Sequence, residues 1–180
     1  MRMIRSCAVA VLAAAVLCLS VAEGGAAKDV AKDGIAMSAS GLPVPRFVSL
    51  KSDHVNVRGG PTKDNDVAWI YTRSSLPVEI TAEFENWRRI RDSEGSEGWV
   101  YHSLLSGRRT AVVTTKTRDQ LAPLYDSADA NGAVAARLES GVLASVKRCN
   151  GSWCRISGKG FDGWIEQQRL WGVYPNEKID

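Results

Sequence analysis

The side chains in this chain that could make or break bonds are few. Across 180 residues there are two histidines, His54 and His102, and four cysteines, Cys7, Cys18, Cys149 and Cys154. Nothing matches the H-E-x-x-H pattern of a zinc helix, and two histidines fall short of a catalytic metal's ligand set. Asp53-His54 lies near several serines, but an adjacent Asp-His pair at a strand start reads as a turn feature, not as two members of a triad. Gly59-Gly60-Pro61 lacks the lysine and the helix that complete a phosphate loop. A cysteine nucleophile needs a free thiolate beside a histidine. The expectation is a chain that is no enzyme and carries no metal or cofactor.

What the cysteines do depends on the compartment. Arg2 and Arg5 precede an uncharged apolar run from Cys7 to Val21, and small residues at Ser20-Val21-Ala22 and at Gly25-Ala26-Ala27 offer two cleavage points. That is the pattern of a secretory signal peptide over residues 1–27, and the run is short for a membrane span. Leu17 occupies the place where lipoprotein attachment at Cys18 wants a small residue. Export would leave Cys149 and Cys154, and an even pair in an oxidising compartment is most simply a disulfide. Asn150-Gly151 between them is a hairpin signal. Closing so short a loop stabilises by about 2 kcal/mol in the chain-entropy model. Losing Arg2, Arg5 and Glu23 with the signal takes the net charge from +3 to +2, too mild a balance to call for nucleic acid.

Recognition chemistry is better supplied. Trp69, Tyr71, Trp87, Trp99 and Tyr101 fall within one short stretch, and such aromatics give large contact area with one wettable end. On a strand, Trp87, Arg89 and Arg91 share one face, and Arg88 and Ile90 the other. A tryptophan flanked by arginines suits a peptide bearing carboxylates. The expected ligand-binding set is Trp69, Tyr71, Trp87, Arg89, Arg91 and Tyr101. Trp99 and Ile90 are expected in the core, whereas Trp69 and Trp87 stand open between core and exposed groove. Arg58 either meets ligand or, as the neighbouring glycines favour, bonds loop carbonyls to fix a tight turn.

These residues must be positioned by a repeated unit. Trp87-Arg88-Arg89-Ile90 returns as Trp153-Cys154-Arg155-Ile156, Gly98-Trp99-Val100 as Gly163-Trp164-Ile165, and Leu105-Ser106-Gly107 as Leu170-Trp171-Gly172. A repeat of this period makes the chain a tandem. Glu83 and Arg88 then occupy the places of Cys149 and Cys154, so an ion pair is expected to pin the first hairpin as a disulfide pins the second. Short β-rich runs at Val55–Arg58, Ala68–Tyr71, Pro77–Thr81, Trp87–Ile90 and Gly98–Tyr101, broken by turn residues, indicate a small barrel or sandwich. Residues 28–46 are small, polar and without hydrophobic period, and read as a flexible linker. The units are 47–110 and 111–173, with 174–180 as a tail.

The run Val55-Asn56-Val57-Arg58-Gly59-Gly60-Pro61 resembles the opening strand of bacterial SH3-like (SH3b) domains. Trp87-x-x-Ile90 and Gly98-Trp99-Val100 resemble the paired strands that close that family's barrel. The second repeat departs at the first element, where Leu121-Ala122-Pro123-Leu124-Tyr125 replaces the Asn and Arg. The resemblance covers Phe47 to Val173 and implies an all-β chain of two tandem SH3-like small β-barrels. SH3b domains attached to wall enzymes often recognise peptidoglycan peptides. The resemblance thus implies a non-catalytic exported binding module of the periplasm or cell envelope, with a peptidoglycan peptide as partner. The alternative is a periplasmic protein–protein interaction or regulatory subunit without wall affinity, with an envelope protein as partner, motivated by a second repeat whose surface has lost most aromatics while keeping the fold.

Overall fold

The structure, a computed structural model, describes residues 36–38, 40–117 and 119–180. The expected signal peptide and the start of the expected linker lie outside them. Among the described residues, all regular elements except two single 3-10 turns are strands. A short ribbon pairs β1 (Ala36–Met37) with β2 (Pro43–Val44). Then come β3 (Arg46–Leu50), β4 (Val55–Arg58), β5 (Val67–Tyr71), β6 (Pro77–Phe84), β7 (Trp87–Arg91), β8 (Glu97–Tyr101) and β9 (Leu105–Ser106). They hydrogen-bond in the order β5-β4-β8-β7-β6-β3-β9. The second unit uses β10 (Thr110–Val113), β11 (Ala122–Tyr125), β12 (Val134–Leu138), β13 (Leu143–Asn150), β14 (Trp153–Gly158), β15 (Phe161–Glu166) and β16 (Leu170–Trp171). Its order, β12-β11-β15-β14-β13-β10-β16, repeats the first, and β17 (Lys178–Ile179) adds to β13. The chain is two tandem SH3-like small barrels.

Alternation in the sequence becomes two cores. Val55 and Val57 of β4, Ile80 of β6, Ile90 of β7 and Val100 of β8 meet inside the first barrel. Leu124, Val146, Ile156 and Ile165 occupy the matching places in the second. The glycine of each G-W-V/I motif has a steric cause. A Cβ on Gly98 would collide with Val57 Cγ1 and reach within 3.0 Å of Trp69, and one on Gly163 would lie 2.6 Å from the Tyr125 carbonyl oxygen. Only a glycine lets β8 and β15 cross so close to β4 and β11.

The hairpin tips are pinned as the repeat alignment implies. Cys149 and Cys154 face each other across β13–β14 and are joined by a disulfide. Glu83 and Arg88 face each other across β6–β7, with Arg88 Nε 3.0 Å from the carboxylate. The turns differ from the sequence expectation in one detail. Gly151 and Ser152 are the two turn residues, and Asn150 instead uses its Oδ1 to accept from the Ser152 and Trp153 N–H groups. Gly151 takes a positive φ of 103°, a place Glu85 fills in the first repeat at 48°.

Among the described residues, Ser40 to Arg46 of the expected linker and the expected tail 174–180 make ordered contacts with the barrels. Ser40 donates its N–H and hydroxyl to Glu83, and Arg46 Nη2 lies 2.6 Å from the same carboxylate. A polar stretch without hydrophobic period thus docks by hydrogen bonds to a buried acid. At the other end, Glu177 takes two hydrogen bonds from Arg109, and β17 extends the β13 tip. Tyr174 completes a junction between the barrels. Its hydroxyl donates to Glu79 (2.8 Å), which Arg91 also grips, and its ring lies 4.7 Å from that of Phe47. Phe47 in turn meets Trp171 edge-on at 5.3 Å. Glu79 and Phe47 are only 4% and 7% exposed, so the junction is a packed interface.

Candidate functional site

Cross-strand register decides which of the expected binding residues share a surface. Trp87 stands opposite Tyr101, Arg89 opposite Trp99 and Arg91 opposite Glu97, while Arg58 stands opposite Trp99. These residues all lie on the outer face of β4-β8-β7, because their neighbours Val57, Ile90 and Val100 point into the core. The ring of Trp87 meets that of Tyr101 edge-on at 5.5 Å. The pair lines a groove of about 310 Å³, with Arg58 and Lys63 on one side and Ser103 and Leu104 on the other. Trp87 is 8% exposed, covered by its partner ring. The last turn before the groove is held by the Asn86 carbonyl, which accepts from the His102 N–H.

The other expected members stand elsewhere. Trp69 faces Val57 across β4–β5 and packs against the first core together with Tyr71. The Tyr71 hydroxyl donates to Asp92, and burial together with that hydrogen bond pushes its ionisation well up. Arg89 is engaged by Glu97, and Arg91 by Glu79 at the junction. Of the six residues, Trp87 and Tyr101 therefore form the groove; Arg89 and Arg91 share the face but are already paired, and Trp69 and Tyr71 close the barrel. Ile90 is in the core as expected, whereas Trp99 is half-buried on the outer face.

Two cations line the groove that were not in the expected set. Arg58 donates to the Asn65 carbonyl and so braces the 59–66 loop, as the neighbouring glycines imply. Its guanidinium makes no other hydrogen bond among the described residues. Lys63 reaches the groove from the same loop. The signal for both was present, since the V-N-V-R strand and its loop run beside Trp87 once β4 pairs with β8. Ser52 exchanges hydrogen bonds with the His54 backbone in a turn. Among the described residues, no three His, Cys, Asp or Glu side chains are grouped to hold a metal ion. None of the helices there is long and apolar enough to cross a membrane.

The second repeat has an outer face of the same construction. Trp153 stands opposite Glu166, and Arg155 opposite Trp164, while Tyr125 of β11 also pairs with Trp164. Trp153 meets Tyr125 edge-on at 5.5 Å, and Arg148 lies over the Trp164 ring. The second repeat is thus not short of surface aromatics. It has rearranged them.

No curated protein matches this chain. Among solved structures it is similar to NlpC2 from Trichomonas vaginalis, at 14% identity and a TM-score of 0.32 over 71% of this chain and 48% of that one. It is similar to NlpC1 from the same organism, at 16% identity and a TM-score of 0.31 over 76% and 48%. The endolysin LysPBC5 CBD is similar at 18% identity and a TM-score of 0.29 over 70% and 91%. The chain spans about half the length of the two NlpC chains. Residues 51–107 and 118–172 each match the bacterial SH3 domain, the two matches fall on the two sheets of identical strand order, and the chain belongs to that family.

Proposed function

We propose that this chain is a non-catalytic binding module exported to the cell envelope, and that its first-repeat groove holds a peptidoglycan peptide through a carboxylate. The observation that carries this reading is the Trp87–Tyr101 pair flanked by Arg58 and Lys63. The edge-on rings supply an apolar wall for peptide backbone, and the two cations offer charge-assisted hydrogen bonds to a carboxylate. Membership in a binding-domain family supports the same role. The carboxylate partners are Arg58 and Lys63 instead of Arg89 and Arg91, since the latter two are held by Glu97 and Glu79.

Co-sedimentation with purified peptidoglycan sacculi tests this at low and high salt. Wild type is expected to pellet at low ionic strength and less at high, because exposed charges more than about 10 Å apart are screened at 0.1 M salt. Lys63→Glu and Tyr101→Ala should each reduce pelleting while leaving the far-ultraviolet spectrum unchanged. Pelleting that is absent, or indifferent to both substitutions, overturns the reading and directs attention to an envelope protein as partner.

A further inference from the structure

The second repeat carries a larger groove that shares the Trp153 and Glu166 positions with Trp87 and Tyr101 of the first but extends toward the Gly151–Ser152 turn and the C-terminal segment, and it is lined by a carboxylate and no cation. Its volume is about 560 Å³, against about 310 Å³. Trp153 occupies the position of Trp87, and both tryptophans keep an edge-on tyrosine at 5.5 Å. The tyrosines come from different strands. In the first repeat the ring is Tyr101 of β8; in the second it is Tyr125 of β11, in the place that Arg58 holds on β4. The exchange puts an uncharged ring at the strand position of Arg58, where Tyr125 backs Trp153 outside the groove's lining. It also puts a carboxylate, Glu166, directly opposite Trp153, where the first groove has Tyr101.

Glu166 is the charged side chain among those lining this second groove. Its Oε2 accepts from Arg169 Nε at 2.6 Å and from Gln168 Nε2 at 3.4 Å. Its Oε1 has no partner among the described residues, and the side chain is 28% exposed. The walls are fixed before any ligand arrives. Gln167, 5% exposed, bonds the Ser152 carbonyl through its N–H and the Glu177 carbonyl through its side chain. Asn150 holds the Ser152–Trp153 rim, and Pro175 and Asn176 close the groove from the C-terminal segment. Lys178 lies beside Gly151 at one end of the groove. A carboxylate entering beside Glu166 meets like charge, while an ammonium there gains an ion pair and the adjacent Trp153 ring face.

We infer that the second groove binds a peptide segment through a primary amine, with Glu166 as acceptor and Trp153 as platform, so that the two repeats read opposite charges. The choice of a peptide rests on the reading of the chain as an envelope peptide binder. The test is a titration of the isotope-labelled intact protein, following the indole N–H resonances of Trp87 and Trp153. The probes are a lysine-containing peptidoglycan tetrapeptide and the same peptide acetylated on the lysine amine. The free-amine peptide is expected to shift Trp153 and to bind there about tenfold more tightly than the acetylated one, the scale of one charge-assisted hydrogen bond. Glu166→Gln should erase that difference, and Arg169→Gln, which removes the neighbouring cation, should enlarge it. Equal responses of Trp153 to both peptides, or a difference that survives Glu166→Gln, overturn the inference. If Trp87 responds and Trp153 does not, the inference falls and the first-groove reading stands. If Trp153 alone responds, the inference stands and the carboxylate reading of the first groove falls. If neither responds, both fall.

Discussion

Glu83 offers the sharpest test of how the first barrel is held. Its carboxylate, with a side chain 2% exposed, takes the Ser40 N–H at 3.1 Å, the Ser40 hydroxyl at 3.0 Å, Arg46 at 2.6 Å and Arg88 at 3.0 Å. Burial by itself raises the carboxyl's pKa, but the hydrogen bonds from Ser38, Arg46 and Ser40 outweigh it and bring the group from 4.5 to about 2. At about 1.4 kcal/mol for each tenfold change in proton affinity, that displacement corresponds to about 3 kcal/mol of folding free energy, as a ceiling. The sign follows from the folded value lying below the unfolded one. The stabilisation is complete above pH 4.5 and drains as the pH falls toward 2. Glu83→Gln keeps the shape, removes the charge and leaves Arg46 and Arg88 unpaired. Urea unfolding followed by tryptophan fluorescence should show the variant less stable at pH 7 by up to about 3 kcal/mol. The gap should shrink steadily below pH 4.5, because wild type then loses the same charge. Parallel stability curves for the two proteins down to pH 2.5, or no gap at pH 7, would refute the assignment of Glu83 as the pin.

The second barrel should respond to reductant instead. Opening the Cys149–Cys154 bond, or replacing both residues with serine, should cost about 2 kcal/mol, and an unfolding midpoint indifferent to reductant would count against it. Gly98→Ala should destabilise by about 1–3 kcal/mol through overpacking against Val57, read as a lower midpoint at unchanged slope; wild-type stability would show that β8 can retreat. Tyr71 and Tyr174 have their ionisation raised, in each case first by burial and then by hydrogen bonds to Asp92 and Glu79. Their contribution is whole below pH 10 and is lost as the pH climbs past it. Phenolate absorbance should therefore show two of the four tyrosines ionising only with unfolding, and simple titration of all four would contradict the buried hydrogen bonds.

Much of the barrel was legible because its signals are local. Alternation at Val55–Arg58 and Trp87–Ile90, together with the repeat of Trp87 as Trp153 and Gly98 as Gly163, placed the strands and equated the hairpin pins. The binding face was less legible, because alternation separates two faces without saying which is the core. Trp69 and Tyr71 look like binding residues in sequence, yet their register opposite Val57 and Val55 turns them inward. Arg89 and Arg91 look free until Glu97 and Glu79 are brought beside them by pairing. Docking of the two ends was hidden for a different reason. Ser40 and Tyr174 act through one or two polar contacts each to buried acids far away in the chain, which leave no period in the local sequence. The second groove was masked by the strand exchange, since Tyr125 aligns with an arginine and not with Tyr101.

The packed junction at Phe47, Trp171, Tyr174 and Glu79 means that the two barrels do not explore each other's surroundings as beads on a string would. A flexible tether would give the second groove a broad spread of positions and a modest effective concentration. A locked junction removes that spread, so the separation between the grooves becomes a property of the folded chain. If both grooves bind as proposed, the molecule would act as a caliper, selecting partners by the distance between two features as well as by the features themselves, and a partner with both features at the wrong spacing would gain no more than either barrel gives alone.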